Sequence, residues 1–124
     1  MATGTLTTTG KNVALDALVT QEGPLYLGLL DGTVEESGTG YAREAITFAA
    51  AANGEKANSA AIVFDVGVAT DWGAAVDTWA IYDAVSSGSK LAEGLLDDVR
   101  DMSSGGATLT FAIGAIVLAA DDPQ

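Results

Sequence analysis

The chain has 124 residues, 48% of them hydrophobic and 18% charged, with neither cysteine nor histidine. That length and composition predict a single globular domain, residues 1–124, and the missing residue types exclude disulfides, zinc–thiolate centres, thiol nucleophiles and imidazole bases. Seventeen acids against five scattered basic residues give a formal net charge of −12, which excludes the basic stripe that nucleic acid or an anionic membrane surface requires.

The opening "MATGTLTTTG" lacks the basic and apolar regions of a signal peptide. Residues 1–9 read as a flexible segment of the kind that orders against a partner, with Ala2, Thr3, Thr5 and Leu6 as candidate partner-binding residues. Thr8 and Thr9 supply helix-capping side chains. Val13, Ala14, Ala17 and Leu18 then share one helical face before Gly23-Pro24 stops the run. The pattern predicts a short helix over residues 11–19.

After Pro24 the period changes to two. Leu25, Leu27 and Leu29 alternate, a Gly-rich acidic loop covers residues 31–40, and residues 41–48 read as the next strand. Asn53-Gly54 is a turn signal, after which Ala60, Ile62, Phe64 and Val66 alternate. A strand over residues 75–84, a Ser86-Ser87-Gly88 turn and a strand "KLAEGLL" follow. A second acidic loop then leads to a last strand, in which Leu109, Phe111, Ile113, Ala115 and Val117 alternate. Six or so short strands predict an all-β fold, an antiparallel β-sandwich or barrel-like (jelly-roll or immunoglobulin-like) domain with one short N-terminal helix. Residues 121–124 read as a tail. The longest apolar run, residues 109–120, falls short of the ~20 residues that cross a bilayer, so a soluble protein made in the cytoplasm is expected, with no membrane partner.

Few residues suggest chemistry. Asp31, Glu35 and Glu36 lie in the first acidic loop, but their spacing does not fit the alternating ligands and terminal glutamate of a calcium loop, and a solvated loop is expected. Asp97, Asp98 and Asp101 surround Arg100. A hydrolase built on Asp97 and Asp101 needs both carboxylates in a shared cleft, whereas a solvated turn needs nothing more. Without a histidine, the serines of "SSGS" and "SSGG" have no ready base, and no phosphate-binding glycine motif occurs. The reading is a protein with no enzymatic activity, no metal and no cofactor. Trp72, Trp79 and Tyr82 have flat faces that suit sugar rings, but a strand through residues 78–83 equally sends such side chains into a core. Trp72, beside Gly73, is expected to be the most exposed of the three.

The segment "DWGAAVDTWAIYDAVSSGSKLAEGLL" carries a W-G-x-x-x-x-T-x-x-x-I-Y-D-A core followed by a small turn and strand. With the opening "GKNVALDAL", "LYLGLLDG", "YAREAITFAAAANGEKANSAAIVFDV" and the closing "GGATLTFAIGAIVLA", it resembles a family of small tailed-phage virion structural proteins. Members of that family are head decoration (cement) proteins or tail-fibre-like proteins. The resemblance covers nearly the whole chain and brings no catalytic residues. It implies a β-sandwich component of the virion, and the expected role is a decoration protein that binds the major capsid protein on the outside of the assembled head, stabilises it, and self-associates as a trimer or cluster at symmetry axes. The charge of −12 suits a surface away from packaged DNA. The alternative is a tail-fibre component or a receptor- or glycan-binding module, with Trp72, Tyr41 and the acidic loops as its recognition surface.

Overall fold

The structure, a computed structural model, describes Ala2 and residues 4–120; the expected tail at 121–124 lies outside them. Thr7 caps the first helix. Its backbone is extended, and its Oγ1 accepts the Gly10 N–H at 3.1 Å, satisfying one of the free amides of the first turn. Helix α1 (Thr8–Glu22) therefore begins three residues earlier than the periodicity predicts and claims Thr8 and Thr9 from the segment expected to be flexible. Gly23, with φ 72°, terminates it.

The buried face of α1 also differs from the expected one. Leu15 is buried, and Leu18 and Val19 pack against the core, while Val13 is 65% exposed and Ala14 and Ala17 face solvent. Polar anchors set this rotation. Asn12 accepts the Gly54 N–H at 2.8 Å, and Asp16 accepts the Ala51 N–H at 2.9 Å together with the Lys56 ammonium. Asn12, Leu15, Asp16 and Val19 form one stripe at three- and four-residue spacing, and the anchors turn that stripe inward.

Strand β1 (Leu25–Asp31) lies at the middle of the large sheet. Along one side it pairs with β2 (Val34–Glu35) at its end and β3 (Glu44–Ile46) at its start. Along its other side it pairs with β6 (Val76–Tyr82), and β7 (Lys90–Arg100) forms the outer edge. Two small ladders, β4 (Glu55–Ala57) with β9 (Val117–Ala119) and β5 (Ile62–Asp65) with β8 (Thr108–Phe111), make the second layer. All these pairs are antiparallel. One cluster draws Leu25, Leu27, Leu29 and Ile81 from the large sheet and Ile62, Phe64, Leu109, Phe111 and Leu118 from the ladders. Alternation on both layers thus points the large side chains at one another, the condition for a sandwich. No closed barrel forms among the described residues.

Three regions depart from the expected pattern. The strand expected over residues 41–48 shortens to β3, because residues 36–43 leave the sheet to pack as described below. The second acidic loop is part of β7, where Asp97 and Asp98 sit on the strand. The single last strand is split into β8 and β9 by a turn in which Ala115 N–H donates to Ala112 O at 3.0 Å and Gly114 has φ 82°. The turn reverses the alternation: Ile113 is 70% exposed, and Ile116 and Leu118 take the buried positions.

Asn58 explains the split. It is 1% exposed, and its side-chain amide donates to Ala60 O at 2.9 Å and Ala112 O at 3.0 Å, while its Oδ1 accepts Ile116 N–H at 2.9 Å. Its backbone adds bonds with Ile116 O and Gly114 N, both at 3.0 Å. A continuous strand would leave this buried amide without partners, at a cost of about 1–3 kcal/mol.

Candidate functional site

The first acidic loop is largely exposed, as expected, but its Glu35 and Glu36 form half of a polar clamp. The Arg43 side chain is 7% exposed and grips Glu35 with two parallel bonds, Nε to Oε2 at 2.8 Å and Nη2 to Oε1 at 2.7 Å. Its Nη1 donates to the carbonyls of Ala84 and Ser87 at 2.9 and 2.7 Å, and its guanidinium carbon stands 3.5 Å from the Tyr82 ring centre. A planar fork and a stacking face are what arginine offers and lysine does not. Tyr41 completes the set: its hydroxyl donates to Glu35 Oε2 at 2.8 Å and accepts the Leu29 N–H at 3.0 Å. Burial, reinforced by the neighbouring Glu35 carboxylate, pushes the Tyr41 phenol well above its ordinary range. Burial opposes ionisation of Glu35, but the bonds from Arg43 and Tyr41 outweigh it and hold its pKa below the ordinary value.

Glu36 fastens the same loop. Its Oε1 accepts the Gly73 N–H at 2.6 Å, and its Oε2 accepts the Ser37 and Gly38 amides at 2.9 and 2.7 Å. Trp72 is drawn in beneath it. The indole N–H donates to Thr39 O at 2.8 Å, the ring meets Tyr41 edge-on at 5.4 Å, and the residue is 4% exposed. The expectation that Trp72 is the most exposed of the aromatic candidates is therefore corrected: Asp71 and Glu36 tie its neighbours down on both sides and turn it into the core. Tyr41 is half-buried, its ring held between Trp72 and Phe64. The structure brings Tyr41, Trp72 and the acidic loop together as packing: Trp72 is buried, and Tyr41, at the edge of a cleft with Glu35 and Arg43, has its hydroxyl committed to Glu35 and Leu29.

The remaining candidates are spread apart. Ala2, Thr5 and Leu6 are exposed ahead of the helix, and Thr3 lies outside the described residues. Asp101 is engaged by the N–H and hydroxyl of Ser103. Asp97 and Asp98 line a groove that does not include Asp101, so the carboxylate pair weighed for hydrolysis is not brought into one cleft. No cluster of metal-ligating side chains occurs among the described residues, and no described helix is long and apolar enough to cross a membrane.

The groove itself arises from an irregularity. Opposite Asp77 of β6, residues 96–99 of β7 stand between the pairs Thr78–Leu95 and Val76–Arg100, so four residues face one. This bulge forms one wall. Leu109, Thr110 and Phe111 of β8 and the turn residues Ala115 and Ile116 form the other, and Trp79 lies between them. Trp79 is half-buried over Gly94, where a Cβ would stand 2.5 Å from the indole, so only glycine lets the ring lie flat on the neighbouring strand. Sequence alternation places Trp79 on the core side but cannot reveal that the bulge leaves it facing an opening. Arg43, Asn58 and Asp16 escape sequence reasoning altogether. The one available signal is a lone arginine in an alternating strand between Tyr41 and Glu44.

No curated protein sequence matches the chain. Residues 6–119 match the family described as Podophage GP4 fiber I protein gp80, which spans every element from the capped helix to β9. The chain therefore belongs to this fibre-protein family and is a structural protein of the phage virion.

Proposed function

We propose that the protein is a building block of the tail-fibre apparatus, acting without catalysis or cofactor by binding other virion proteins and copies of itself. The observation that carries this reading is the extent of the family match, residues 6–119, which takes in the helix and every described strand. The surface supports an assembly role. Leu95 and Val99, both on the edge strand β7, are 77 and 62% exposed, which puts apolar side chains on the strand that a partner would meet. The edge of β7, paired on one side only, offers unpaired backbone groups to a neighbouring strand.

The head-decoration reading, with the major capsid protein as partner, is supported by the charge of −12, which favours the outside of a DNA-filled shell. Copy number separates the two. Quantitative densitometry of purified virions, with gold-labelled antibody against the chain, is expected to give a few copies per particle and label at the tail. A simple fraction of the capsid-subunit number, with label over the head, overturns the fibre reading and establishes decoration.

A further inference from the structure

The groove between the β7 bulge and the β8–β9 turn sets uncommitted charged side chains of both signs beside an aromatic ring. In the other clefts the charged side chains, Asp31 apart, are committed to the protein: Glu35 and Arg43 to each other, Glu36 to three amides, Asp71 to Thr39, Asp77 to Gly32 and Thr78, and Glu93 to Lys90. In this groove Asp97, Asp98, Arg100 and the Trp79 indole N–H have no partner among the described residues. Two acceptors that each take more than one hydrogen bond, and two donors, thus stand beside the apolar surfaces of Trp79, Phe111 and Ile116.

We infer that this groove binds a neutral saccharide. A ligand of one charge would meet repulsion from either Arg100 or the two aspartates, whereas adjacent hydroxyls donate to carboxylates and accept from a guanidinium or indole N–H. The apolar face of a pyranose suits an aromatic floor, and a few convergent polar groups then fix its orientation. The volume, about 240 Å3, is below the ~300–1,000 Å3 of pockets for drug-sized ligands, so a ring or two of a longer chain enters. The binding rests on the groove alone; its role in attachment to a cell-surface glycan rests on the fibre reading.

The two tryptophans make the test internally controlled, because Trp72 is buried with its N–H bonded to Thr39. Uniformly 15N-labelled protein is titrated to millimolar concentrations with tetrasaccharides of glucose, galactose and mannose, following both indole N–H resonances. The expected result is a saturable shift at Trp79 with Trp72 unchanged for at least one of the three. The double variant Asp97→Asn, Asp98→Asn, whose positions are exposed, is expected to weaken that binding about tenfold, the loss of roughly one charge-assisted hydrogen bond, with the Trp72 resonance reporting an intact fold. Absence of a Trp79 shift with all three sugars overturns the proposal, as does binding that the double variant leaves undiminished. Neither outcome touches the copy-number result, so the two readings fail separately.

Discussion

Arg43 shows how much one side chain can hold in a protein with five basic residues. The exposed Lys90–Glu93 pair at 3.0 Å contributes little, because water screens it and two long side chains must be held in one geometry. Arg43 by contrast is almost fully buried, makes four hydrogen bonds and roofs Tyr82. Replacing it by alanine strands the Glu35 carboxylate and two carbonyls, and the expected loss is about 3 kcal/mol, read as a lower midpoint in urea unfolding. Arg43→Lys is expected to recover less than half, since an ammonium cannot reproduce the fork or the stack. The clamp also sets an acid limit. The Glu35 carboxyl, ordinarily near 4.5, is lowered in the folded state, so below pH 4.5 the unfolded chain binds more protons than the folded one. Its stabilisation is complete above that pH and disappears as the pH falls through the folded value. Tm is expected to drop on acidification, and Glu35→Gln to flatten that drop. An undiminished slope in the variant would assign the acid sensitivity to Asp16, Asp71, Asp77 and Asp101, whose pKa values are also lowered.

At the scale of elements, the misreadings share one cause: a polar group fixed the geometry where hydrophobic period alone was read. Strands β1, β5 and β6 were legible from their period-two apolar residues, with Leu25, Leu27, Ile62, Phe64 and Ile81 inside; burial alternates in β5, whereas β1 and β6, inside the large sheet, also bury Leu30, Ala80 and Tyr82 in a second cluster. The helix was legible in existence but not in facing, because Asn12 and Asp16 rather than Val13 and Ala17 meet the sheet. The last strand had unbroken alternation on paper, yet Asn58, 58 residues before Ile116, dictates a turn that no local window contains. The groove was invisible for the same reason, since it needs a bulge in β7 and that distant turn together. Asn58→Ala removes three side-chain bonds and leaves the buried Ile116 N–H without its partner. A loss of about 3 kcal/mol is expected, and hydrogen exchange in β4 and β9 should accelerate more than in β1 and β6. Uniform acceleration would mean that the turn is held by its own Ala112–Ala115 bond and that Asn58 serves the core as a whole.

For the whole molecule the dominant long-range term is charge. Five basic residues can offset five of the seventeen acids, and the other twelve repel one another across a small domain. At 0.01 M ionic strength the screening length is about 30 Å, comparable to the molecule, and near 0.15 M it is about 8 Å. Self-repulsion therefore acts between all the acids at low salt and only between neighbours at high salt, while the buried Arg43–Glu35 pair is screened little in either. Sodium chloride is expected to raise stability by about 1 kcal/mol across that range, which shifts Tm by roughly 4 °C in a domain of this size. Chloride is the right anion for this measurement, because sulfate would also strengthen apolar burial by exclusion and confuse the sign. A Tm that falls with sodium chloride would mean that attractive pairs such as Lys56–Asp16 outweigh the excess of acids. The acids would then have to be arranged around the few cations rather than spread over the surface. A rise would mean that assembly brings together surfaces that repel at low salt, so docking in the virion must bury enough apolar area, Leu95 and Val99 included, to overcome it.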